Sequence, residues 1–65
     1  MNPDETDFPK GVAAPARRAL VAAGYIELRQ LDGVPAAELS RLHGMGQKAL
    51  RVLQAALEEQ GMSLG

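Results

Sequence analysis

Apolar side chains recur at three- and four-residue intervals through most of this chain, the spacing of a helix face rather than the alternation of a strand. In "PARRALVAA", residues 15 to 23, Ala16, Ala19, Leu20 and Ala23 fall on one face. Pro15 suits a first helical position, where its missing N–H costs nothing, and Gly24 is placed to stop the helix. "YIELRQL" reads as a short helix with Leu28 and Leu31 inward and Gly33 at its end. "PAAELSRL" repeats the proline-first logic at Pro35 and turns Leu39 and Leu42 inward. The last helix is predicted from about Gln47 to Gln60, with Leu50, Leu53 and Leu57 on its inner face, Val52 and Ala56 beside them, and Gly61 as its stop. Met62 or Leu64 is then expected to fold back onto the core. The connections are all short, which favours an all-α, compact bundle of four to five short helices.

The pattern also repeats. "GVAAPARRALVAA" begins at Gly11 and "GMGQKALRVLQAA" at Gly44, an offset of 33 residues. Gly11 matches Gly44, Ala16 matches Ala49, Arg18 matches Arg51 and Leu20 matches Leu53, while Ala13 stands where the second copy has Gly46. Two units of this size share one core rather than forming two domains, so the reading is a degenerate tandem pair within a single domain over residues 8 to 65. Residues 1 to 7 are read as a disordered acidic tail, with Phe8 and Pro9 pinning the start of the fold.

Between the last two predicted helices lies "LHGMGQKAL", residues 42 to 50. A glycine adopts positive φ without steric penalty and lets a ligand approach the backbone. The first N–H groups of the following helix have no intrahelical acceptor, and the positive end of the helix dipole lies with them. Together these features favour an anion such as phosphate. Met45 is read as the plug that fixes the turn. Valine at Gly46 is expected to strain the turn and block close approach to the backbone.

Composition narrows the function classes. Without cysteine there is no disulfide or thiolate metal site, and a single histidine makes a zinc centre improbable. At 65 residues the chain buries only about 60% of the surface its unfolded form exposes. No apolar run approaches the roughly 20 residues of a membrane helix, and the acidic start "MNPDETDF" is unlike a secretory signal. The expectation is a cytoplasmic protein without a membrane partner. The net charge of −1 hides an asymmetry: Asp4, Glu5 and Asp7 crowd the first seven residues, leaving seven basic and five acidic residues beyond them. Such segregation steers ligands even when the total is near zero.

"LHGMGQKAL" resembles the helix-hairpin-helix motif, an apolar–Gly–apolar–Gly turn with an alanine shortly after it. The stretch from about Leu20 to Gly65 also resembles the C-terminal domain of the bacterial RNA polymerase alpha subunit. That family has a Leu-Gly-Lys-Lys-Ser-Leu run where this chain has "MGQKAL", and a Gly-Leu-Ser-Leu-Gly ending similar to "GMSLG" at Gly61 to Gly65. The resemblance implies a small bacterial helix-hairpin-helix protein that contacts DNA backbone and minor groove, with a place in transcription. Gly46 and Lys48 match the family's contact positions. Ala49 replaces a serine, Pro15 falls at the main minor-groove arginine, Arg18 at an asparagine, Val21 at a lysine and Val52 at a glutamate used toward a transcription factor. These departures count against promoter-element recognition and leave phosphate binding.

The expected function is therefore a non-sequence-specific DNA-binding module, weak and directed at the backbone. Its candidate residues are His43, Gly44, Met45, Gly46, Gln47, Lys48, Ala49 and Arg51, joined by Arg17 and Arg18 from the first helix. The alternative is a protein–protein interaction module in a transcription or DNA-processing complex. A monomer without cofactors is expected. An enzyme is not: Ser40 and Ser63 have only one histidine in the chain to work with, and the acidic residues lack metal-loop spacing.

Overall fold

The computed structural model describes residues 7 to 65; the first six residues of the expected acidic tail lie outside the described range. Helix α1 spans Ala14–Ala22, α2 spans Ala36–Ser40 and α3 spans Gln47–Glu59, with a 3-10 turn at Leu28–Leu31 between α1 and α2. Where the sequence predicts four to five short helices, the described residues hold three α-helices and this one 3-10 turn, and no strand. The Cα radius of gyration is 10.3 Å, within the roughly 10–11 Å that size scaling gives a folded chain of this length. No helix among the described residues is long and apolar enough to cross a membrane.

The two longer helices stop in the same way. Gly24 after α1 and Gly61 after α3 take φ of +96° and +77°. Beyond each glycine the chain doubles back: the Tyr25 N–H donates to the Leu20 carbonyl at 2.8 Å, and the Met62 N–H donates to the Leu57 carbonyl at 2.8 Å. Both are Schellman motifs, in which the reversing backbone takes up carbonyls the helix end would leave free. They turn Tyr25 and Met62 inward, where each packs half-buried against the core.

The core is built around α3, which packs against α2 and the 3-10 turn. Leu20, Leu31, Leu53 and Leu57 are fully buried, with Leu28 and Leu39 nearly so. Six of the eight expected core leucines thus lie in the interior. Leu42 and Leu50 are only half-buried and pack at its edge. The buried stripe of α3 is Ala49, Leu53 and Leu57, a four-residue progression that places Leu50 and Val52 on its two flanks. Ala23, expected on the inner face of α1, is exposed because the helix has already ended at Ala22.

Two segments outside the helices complete the interior. Phe8 and Val12 are buried, and the turn between them is closed by the Val12 N–H donating to the Pro9 carbonyl at 3.0 Å. A Cβ on Gly11 would lie 3.0 Å from Val52 Cγ1, so this segment runs close over α3. Asp7, placed by sequence in the acidic tail, belongs to the fold: its Oδ1 accepts from the Leu28 N–H at 2.5 Å, at the start of the 3-10 turn. At the other end, the Gly33 N–H donates to the Ser63 carbonyl at 2.8 Å and the Gly65 N–H to the Val34 carbonyl at 2.9 Å. Leu64 folds back half-buried onto the core, as Met62 does.

Candidate functional site

The 3-10 turn shows how this chain satisfies a helix start. Gln30 Oε1 accepts from the N–H groups of Ile26 and Glu27, both at 2.8 Å, and Asp7 takes that of Leu28. At α2, which also has no side-chain cap, the Ala36 N–H reaches the Gly65 carbonyl at 3.5 Å. The starts of α1 and α3 are built otherwise. Their N-cap positions are held by Ala13 and Gly46, and no side chain caps either helix. Both N-caps are extended, at φ −65° and ψ 158° for Ala13, and φ −107° and ψ 170° for Gly46. In α3 the first intrahelical bond runs from the Leu50 N–H to the Gly46 carbonyl at 3.1 Å. The N–H groups of Gln47, Lys48 and Ala49 precede it and have no acceptor within the helix.

These two helix starts open onto one cleft of about 250 Å³, lined by Gly11, Ala13 and Ala16 from one side and Gly44, Gly46, Lys48 and Ala49 from the other. Six of these seven residues form three pairs at the repeat offset of 33: Gly11 with Gly44, Ala13 with Gly46, Ala16 with Ala49. The repeated pattern thus brings the same part of each copy to a shared surface. Small residues keep its walls low, so a ligand meets backbone there rather than side chains.

The two hairpin glycines have different roles. Gly44 takes φ +94°, and a Cβ on it would sit 2.8 Å from the Pro15 carbonyl oxygen. It carries both the turn and a close backbone contact with α1. Gly46 needs neither allowance. Its φ of −107° suits any residue, and a Cβ there would meet nothing within 4 Å. The expectation that valine at Gly46 strains the turn is therefore corrected: the conformational demand belongs to Gly44, and Gly46 leaves open space before the start of α3.

On the other side of Gly44 lies a second hollow of about 380 Å³, lined by Pro15, Arg18, Ala19, His43 and Gly44. It brings one arginine and the histidine to the flank of the hairpin. Of the remaining candidates, Gln47 is exposed at the first position of α3 and lines neither hollow, and Met45 packs half-buried against the core. Arg17 is half-buried on α1 and lines neither hollow. Arg51 lines a separate groove, shared with Ala36, Leu64 and Gly65. Cleft and hollow therefore unite His43, Gly44, Gly46, Lys48, Ala49 and Arg18, and leave Arg17 and Arg51 outside. Gly11, Ala13 and Ala16 were not among the sequence candidates; their signal was the repeat, which aligns them with the hairpin. No protein family, no curated protein and no solved structure matches this chain.

Proposed function

We propose that this chain is a non-sequence-specific DNA-binding module that holds backbone phosphate at the start of α3. One observation carries the reading: two helix starts without side-chain caps open onto one small-walled cleft, and the cation in it is Lys48. An anion there accepts from N–H groups that lack an intrahelical acceptor and meets the positive ends of two helix dipoles. Every residue lining the cleft apart from Lys48 is glycine or alanine, so nothing in it offers the paired donors and acceptors that read base edges. Contacts of this kind position a protein on a duplex without selecting sequence.

In this reading α2, the Gly44 turn and α3 form the helix-hairpin-helix that "LHGMGQKAL" resembles, and Gly11 to α1 is its degenerate second copy. Arg18 and His43 in the adjoining hollow supply charge to a neighbouring phosphate. With so few contacts the affinity falls in the non-specific range, roughly 10⁻⁴ to 10⁻⁶ M.

The test is a binding titration with a short duplex over a range of salt concentrations. Phosphate binding predicts that log K falls linearly with log salt, with a slope of about −0.9 per phosphate engaged, and that duplexes of different sequence bind alike. Absence of binding at low salt, or binding indifferent to salt, overturns the reading.

A further inference from the structure

The groove that receives Arg51 shares no residue with the cleft. It measures about 440 Å³ and runs along α3, with Ala36, Leu64 and Gly65 on its far side. The α3 wall consists of Leu50, Arg51, Gln54, Ala55 and Glu58. Arg51, Gln54, Ala55 and Glu58 stand at positions i, i+3, i+4 and i+7, so they share one face of α3 as a ridge over two turns. A positive charge stands at one end of the ridge and a negative charge at the other. Ala55, exposed between them, has the smallest side chain of the four. Gln54 is committed within the chain: its Oε1 accepts from the Leu64 N–H at 2.9 Å, and its Nε2 donates to Glu58 Oε2 at 3.0 Å. The first of these bonds ties the far wall of the groove to the ridge, and the second runs along the ridge itself.

We propose that this face docks a second copy of the same chain, with the two α3 helices antiparallel about a two-fold axis passing between Gln54 and Ala55. The occupant follows from the order of the charges. An antiparallel pairing centred on that point sets Arg51 of one copy opposite Glu58 of the other, twice over. A parallel pairing sets like charge against like. The ridge is thus complementary to itself in one arrangement only, as an isologous interface requires, and such an interface closes at two subunits. The small side chain of Ala55 lets the helices approach at the crossing point, and the ridge of each copy lies along the groove of the other, against Leu50 and Leu64. Exposed ion pairs drive association weakly, so here they set orientation, while the apolar part of the groove supplies attraction. The dimer dissociates readily on dilution. The inference does not rest on the DNA-binding reading, and its test contains no nucleic acid.

Sedimentation equilibrium of the full chain, from micromolar to millimolar concentration at low salt, tests it. The wild-type apparent mass is expected to rise from 6.9 kDa toward twice that value. Arg51→Glu and Glu58→Arg, each alone, face like charges in the antiparallel pair and stay at the monomer mass over the same range. An equimolar mixture of the two variants restores opposite charges at both contacts and dimerises, as does the double variant by itself. Both residues are exposed, and each reversal agrees with the α3 dipole, so the helix is retained; circular dichroism checks this. A wild type that stays monomeric throughout overturns the proposal, and so does a dimer indifferent to Arg51→Glu. Failure of the mixture to recover the dimer overturns the antiparallel pairing.

Discussion

The backbone of Gly44 rests against the carbonyl group of Pro15, so closely that a Cβ on Gly44 would lie 2.8 Å from the Pro15 oxygen. The hairpin is thereby seated on the first turn of α1, and the two helix starts are held on one cleft. Gly44→Ala combines the strain of positive φ, about 1–2 kcal/mol for a residue with a Cβ, with this backbone clash. Urea denaturation is expected to show a destabilisation of at least about 2 kcal/mol. An unchanged midpoint would mean that the hairpin is not anchored at Pro15.

Leu53 and Leu50 separate the interior of α3 from its edge. Leu53 is fully buried and Leu50 only half-buried. Leu53→Ala should cost roughly 2–5 kcal/mol, a large part of the stability of so small a domain, and Leu50→Ala distinctly less. Equal destabilisation in parallel denaturation curves would contradict the assignment of Ala49, Leu53 and Leu57 as the buried stripe.

The helices, their glycine stops and most of the core leucines were legible because each is written within a few residues. Pro15 in the first turn of α1, Gly24 and Gly61 after the longer helices, and the spacing of Leu53 and Leu57 all act locally. What the pattern missed depends on neighbours distant in sequence. Ala49 rather than Leu50 faces inward, and the segment from Phe8 to Val12 runs close over α3 at Val52, an approach that no helical period announces. Asp7 read as one more tail charge because its partner, the Leu28 N–H, is 21 residues away. The candidate site was half visible. The glycines, Lys48 and the following helix pointed to the α3 start, but the second wall of the cleft was encoded only as a repeat. Arg51 lines a different groove from Lys48, a division that its spacing of three residues along the helix does not announce.

Asp7 provides a direct check on where the folded unit begins. Asp7→Ala removes the acceptor for the Leu28 N–H and is expected to cost about 1 kcal/mol, as when a helix cap is removed. Asp7→Asn keeps a side-chain oxygen at the same place and should retain most of that stability. Thermal melts of the two variants beside the wild type measure the difference; an Asp7→Ala protein as stable as the wild type would return Asp7 to the tail.

In the proposed DNA-binding mode, cations near the hairpin should differ in their share according to the surface they reach. Lys48 lines the cleft, Arg18 the adjoining hollow, and Arg51 the separate groove. Lys48→Ala and Arg18→Ala are expected to weaken duplex binding several-fold and to flatten its salt dependence, by up to about 0.9 in slope for each phosphate that is no longer neutralised. Arg51→Ala should have the smaller effect. Titrations of the three variants across a salt series decide the order, and a dominant effect at Arg51 would place the interface on the wrong face of α3.

Gly46→Asp probes the proposal that the N–H groups opening α3 are kept for a phosphate. The extended backbone at position 46 suits an N-cap, and the space around a new side chain is open. An aspartate there should cap the helix and raise stability by some tenths of a kcal/mol to about 1 kcal/mol, while occupying the N–H groups with a competing anion. The measurement is an amide chemical-shift titration with a short duplex at low salt, run on the wild type and on Gly46→Asp. Gly46, Gln47, Lys48 and Ala49 are expected to shift in the wild type, and the variant, folded and at least as stable, to show no response at positions 47 to 49. Silent amides between His43 and Arg51 in the wild type, or a variant that binds the duplex as tightly, would contradict it.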